Sequence, residues 1–131
     1  MGAWGVHFDE NDGALDFLGD IEETKDWSAI ASRLTDYVAD GGYDDADEAI
    51  AAAELVAAAL GKASARLQPE LLEWASANSE AASASLGTAR KAVLLAANES
   101  ELAELWAEAD EYAEWQASVK DLNDRLASAN V

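Results

Sequence analysis

The run AIAAAELVAAAL at residues 49–60 constrains the chain more than any other stretch, because seven of its twelve residues are alanine. Alanine has the highest helix propensity, and its small side chain lets neighbouring helices approach closely. Such a run folds as a helix and belongs where other helices meet. With Glu54 in its middle, it also falls short of the ~20 apolar residues that a membrane-spanning helix needs. The same bias runs through all 131 residues, in which alanine dominates the apolar half and proline occurs once. An all-α fold follows. Cysteine is absent, which excludes disulfides, a thiolate nucleophile and cysteine-based zinc or iron–sulfur sites. The length suits a single domain, 1–131, with a core of its own.

Helical periods separated by short punctuation predict a compact bundle of six or seven short helices behind an extended N-terminal segment. Asp12 is the expected N-cap of the first helix, with Ala14, Phe17, Leu18 and Ile21 on its apolar face. Asp26 caps a second, which buries Trp27, Ile30, Leu34, Tyr37 and Val38 and stops at Gly41 and Gly42. The alanine-rich helix runs from about Asp45 to Leu60 and takes the central place. Pro69 opens a fourth helix, where its missing N–H costs nothing, and Leu71, Leu72 and Trp74 face inward. A fifth spans about Ala84 to Ala97, with Leu86, Arg90, Val93, Leu94 and Ala97 at related spacing. Asn98 and Glu101 have capping-box spacing for a short sixth helix that presents Leu102, Leu105 and Trp106. Asp110 caps the last, where Trp115, Val119, Leu122 and Leu126 form the cleanest stripe.

Charge narrows the function classes. The chain carries 27 acids against 8 bases, a net −19. A surface this negative repels phosphate and anionic lipid, so neither direct nucleic-acid binding nor membrane binding is expected. Residues 1–48 hold a net −12, residues 49–98 are neutral and residues 99–131 hold −7. Acids spread over the polar faces match a coat adapted to a salty cytosol, where charges are screened within ~3 Å at molar salt. An N-terminus without a signal-peptide pattern points the same way, to a cytoplasmic protein.

No catalytic constellation, metal-ligand set or cofactor motif emerges. His7 is the only histidine, so no paired-histidine motif exists. Beside Asp9, Glu10 and Asp12 it suits either an oxygen-rich metal site or a general base oriented by a carboxylate. It equally suits a loop histidine that packs its ring and bonds the backbone. DENDG, counted from Asp9, places Gly13 one position early for a calcium loop and lacks the chelating glutamate, so it reads better as a helix start. Of the five tryptophans, Trp4 alone precedes the helices. Trp4 and Phe8 are expected to close the core from that end. Glu54 interrupts an apolar helix; if buried, it needs a partner such as Arg90, Arg33 or Trp4.

Several segments carry a family resemblance. GAWG, FDENDGALDFLGDIEE, the following DW, AAAELVAAALG and NESELAELWAEADEYAEWQASVKDL together cover nearly the whole chain. They resemble the bacterial family known as domain of unknown function 4259, whose members begin with G-A-W-G leading into F-E-N-D-D-A-L-D. The chain departs from that pattern at His7, where members often show a glycine and one further residue, and at Gly13, where a second acid is usual. The resemblance implies a fold-level grouping and carries no activity over.

Three functions compete. The first is a non-enzymatic acidic interaction module with a protein partner, its docking surface in the neutral middle around Leu67–Trp74 and Leu86–Leu95. The second is a small enzyme or metal-dependent protein with a site built from Trp4, His7, Asp9, Asn11 and Asp12 and a carboxylate such as Glu54 or Asp110. It requires a cleft beside the N-terminal segment and a carboxylate within hydrogen-bond reach of His7. The third is an acidic mimic of nucleic acid that inhibits a DNA-binding partner, which requires the two acidic segments to merge into one elongated face.

Overall fold

The structure is a computed structural model that describes residues 5–129. It is all-α among those residues: α1 (Asp12–Thr24), α2 (Trp27–Ala39), α3 (Ala46–Ala59), α4 (Pro69–Ser76), α5 (Ser79–Glu99), α6 (Glu101–Ala107) and α7 (Tyr112–Ala127). None of these helices is long and apolar enough to cross a membrane. Residues 5–10 lead into α1 through bends and a turn, in which the Glu10 N–H donates to the His7 carbonyl at 3.0 Å.

The alanine-rich run is the axis of the bundle. α3 touches all six other helices, with its largest interface on α5. Every residue from Ala49 to Ala59 is buried, Glu54 included. Methyl side chains make this possible: larger ones would hold the surrounding helices apart. α7 buries the expected stripe of Trp115, Val119, Leu122 and Leu126, and Trp106 of α6 stacks on Trp115 at 6.5 Å. Phe8 is buried beneath the entry segment, as expected, whereas Trp4 lies outside the described residues.

Several local expectations are corrected. Asn11, not Asp12, caps α1: its side-chain oxygen accepts the Ala14 N–H at 2.7 Å, which leaves Asp12 exposed in the first turn. The asparagine won because the chain is still extended at residue 11, the backbone conformation an N-cap needs. Ser100, not Asn98, caps α6. Its hydroxyl donates to the Ala96 carbonyl at 2.6 Å and accepts the Ala103 N–H at 2.9 Å, so one buried residue ends α5 and starts α6. Asn98 turns back instead, donating to the Leu94 carbonyl at 2.9 Å. α7 starts after Glu111 with no side-chain cap, and Asp110 takes no part in one. α5 begins at Ser79, five residues before the expected start at Ala84, and buries Ala82, Ser85, Leu86, Ala89, Ala92, Val93 and Ala96. Arg90 and Leu94 therefore face outward, and Leu105 of α6 is exposed too.

One glycine is required by geometry. Gly42 adopts φ +83°, and a Cβ there would lie 2.7 Å from Leu95 Cβ. Its carbonyl accepts the buried Tyr37 hydroxyl at 2.6 Å, and burial pushes the pKa of that phenol upward. At Gly13 a Cβ would meet the Asp47 carboxylate, the end of a side chain that lies against the first turn of α1.

Candidate functional site

The site grows from Glu54. In an apolar helix with no exposed face, a carboxylate must be paired or protonated. Glu54 is 4 % exposed, and Arg125 of α7 meets it fork to fork: Nη1 donates to Oε1 at 2.8 Å and Nη2 to Oε2 at 2.9 Å. The guanidinium also donates from Nη1 to the Lys62 carbonyl at 3.0 Å and from Nε to Asp121 at 2.8 Å. Arg125 thus ties α3, the α3–α4 connection and α7 at one point. Burial raises the Glu54 carboxyl above the usual glutamate range, and the hydrogen bonds and charge of Arg125 oppose that rise only in part. The expected partners are corrected accordingly: Arg90 is exposed on α5, and Arg33 lies 3.9 Å from Asp45.

Above this pair opens a cleft of about 730 Å³, bounded by the entry segment, the α3–α4 connection and α7. Its lining includes His7, Glu54, Arg66, Glu114, Ser118 and Arg125. A second, small void of about 20 Å³ beneath the entry segment is lined by Asn11, Asp47 and Glu54, among others. The structure therefore brings His7 and Glu54 to one cleft and sets Asn11 behind it. Asp110 is not among the lining residues of either. Asp9 is engaged by Arg66, whose Nε donates to Oδ1 at 2.7 Å, and this ion pair clips the entry segment to the α3–α4 connection.

His7 is the weak point of this cleft as a catalytic centre. Its side chain is 46 % exposed, and the nearest carboxylate oxygen, on Glu10, stands 4.0 Å from Nε2. That separation is too long for a hydrogen bond, so nothing orients the ring as a base would require. The contact that does form is from the His7 backbone N–H to Glu10 at 3.3 Å. Among the described residues, no group of three or more His, Cys, Asp or Glu side chains is placed to hold a metal ion. Of the sequence-derived site residues, the structure places His7 and Glu54 in the lining of one cleft and gives Asp9 and Asn11 structural bonds. Sequence reasoning missed Arg125. The available signal was an arginine beside Leu126, at the edge of the most regular apolar stripe in the chain.

Two surface regions stand apart from the cleft. At one end, the acidic N-terminal and C-terminal segments meet around Tyr43. Its carbonyl accepts the Glu101 N–H at 2.9 Å, and its hydroxyl donates to Glu104 at 2.9 Å. That hydrogen bond, with the negative charges of Glu104, Glu101 and Asp44, raises the tyrosine's pKa. Elsewhere, the outer face of α5 carries no acid from residue 81 to residue 98. It presents Ala84, Gly87, Arg90, Lys91 and Leu94, and Leu94 is 52 % exposed.

Fold and site together define a compact all-α protein in which the one buried carboxylate among the described residues is paired with an arginine under an open cleft. Within that class the chain belongs to the family described as Domain of unknown function (DUF4259), whose model matches residues 2–118. No curated protein and no solved structure matches the chain.

Proposed function

We propose that this chain is a non-enzymatic acidic interaction module of a salt-rich cytosol. One observation carries the reading: every acid except Glu54 is exposed or half-exposed, such carboxylates occur on all seven helices, and they leave one acid-free outer face on α5. Carboxylates spread in this way repel one another in dilute buffer, and molar salt screens them within ~3 Å. The acid-free face, with its exposed leucine, is the surface on which a protein partner docks. The test is urea denaturation across a salt series. Stability that climbs steeply toward molar salt supports the reading. Full stability in dilute buffer overturns its salt-adapted part and favours an acidic mimic of nucleic acid.

A second reading, a small enzyme or metal-dependent protein working between His7 and Glu54, lacks the carboxylate it requires within hydrogen-bond reach of His7 and rests on the cleft alone. The cleft volume of about 730 Å³ is in the range of small-molecule pockets. A metabolite and metal panel read by thermal shift tests it: a ligand whose effect disappears in His7→Ala supports this reading. A panel without any shift sinks it.

A further inference from the structure

We propose that the outer face of α5 joins two copies of this chain in an antiparallel, two-fold contact. The proposal rests on the interaction-module reading and names the partner. Along one exposed edge of α5 stand Glu80, Ala84, Gly87, Lys91 and Leu94. Their spacing of 4, 3, 4 and 3 is the one that keeps side chains in line where two helices meet along their length.

The order of residues on that edge is self-complementary. Its midpoint lies between Ala84 and Gly87, and an antiparallel copy turned about that point sets each residue opposite a fitting one. Ala84 meets Gly87, small against small, where the two backbones come closest. A Cβ added at Gly87 would find no atom within 4 Å in its own chain, so this point is open to an approaching helix. Glu80 meets Lys91, and two-fold symmetry makes that opposite-charge contact twice. Leu94, the most exposed large hydrophobic side chain of the described chain, reaches the turn that carries exposed Ala77 of the second copy.

Charge selects the occupant as well as the register. Two bodies of net −19 repel each other wherever their acids face. Residues 81–98 hold two bases and no acid, so this face offers the approach of least repulsion. Among the described residues, neither Arg90 nor Lys91 takes part in an ion pair within the chain. Lys91 is thus available to the glutamate of a second copy.

Sedimentation equilibrium of the full chain at about 0.15 M ionic strength, where screening reaches ~8 Å, reads the outcome. The wild type is expected to dimerise. Glu80→Lys alone and Lys91→Glu alone each set like charges opposite and weaken the dimer at least ~10-fold, the effect of ~1.4 kcal/mol. Mixing the two variants makes every crossing pair opposite in sign again, and dimers return; the double variant E80K/K91E also dimerises. Far-UV circular dichroism confirms that each variant is folded. A dimer indifferent to both swaps, or a mixture that stays monomeric, overturns the contact. A monomeric wild type that holds a different protein through α5 overturns self-pairing and leaves the interaction module standing. A monomer with no partner at all overturns both.

Discussion

α3 and α5 are both rich in alanine and pack on each other, yet they live in opposite surroundings. α3 is enclosed on every side from Ala49 to Ala59, while α5 buries one face and shows the other to solvent. The difference comes from the residues between the alanines. In α3 the gaps between Ala49 and Ala59 hold Ile50, Leu55 and Val56, so along that stretch no direction around the helix is polar except at Glu54. In α5, Ser83, Gly87, Arg90 and Lys91 recur on one side and keep that side wet. Alanine allows close packing without enforcing it. Its neighbours decide whether a helix becomes the axis or the rim.

That contrast can be broken most forcefully at Glu54. Glu54→Ala leaves the Arg125 guanidinium half-buried without its main partner and should cost about 3 kcal/mol of folding free energy, near the low end for a broken buried pair. Replacing both, as Glu54→Leu with Arg125→Met, should recover most of that loss, because a packed apolar pair needs no charge compensation. Urea denaturation of the wild type and the two variants compares them. A double variant as unstable as the single one would show that the pair does more than cancel its own charges.

A smaller effect separates the two helices directly. Ala53→Leu forces three extra carbons into the axis and should destabilise by ~1–3 kcal/mol. In the monomeric chain, Gly87→Ala on the open side of α5 should stabilise by ~0.5–1 kcal/mol, since the new methyl meets nothing within its own chain and glycine is a poor helix residue. Equal responses at both positions would erase the distinction between axis and rim.

The smallest expected effect is on pH dependence. The Glu54 carboxyl is raised from 4.5 by burial, so the folded chain holds that proton more tightly than the unfolded chain. Its contribution is fully present below pH 4.5 and is lost as pH rises through the raised value. Wild-type stability should therefore fall as pH rises above 4.5, and Glu54→Gln should fall less steeply. Thermal melts across this range compare the slopes, and parallel slopes would assign the whole dependence to the surface acids.

The sequence was most legible where large apolar residues set the period. The α7 stripe was read residue by residue, and the central role of α3 followed from its composition. α5 was misread because most of its buried positions are alanines, which mark neither face. Leu94 and Arg90 then imposed a false register on the inward side. The cap at Asn98 satisfied a spacing rule, but Ser100 can bond both helix ends and so displaced it. Glu54 announced its need for a cation, yet its partner stands 71 residues away, a separation that only the packing of α7 closes.

That separation also has a consequence in time. During synthesis Glu54 leaves the ribosome 71 residues ahead of Arg125, an interval of roughly 4–14 s at ~5–20 residues per second. Throughout that interval the nascent helix bundle lacks the group that makes its axis tolerable as an interior. The ion pair at the axis of the bundle therefore cannot form before the last helix has been made.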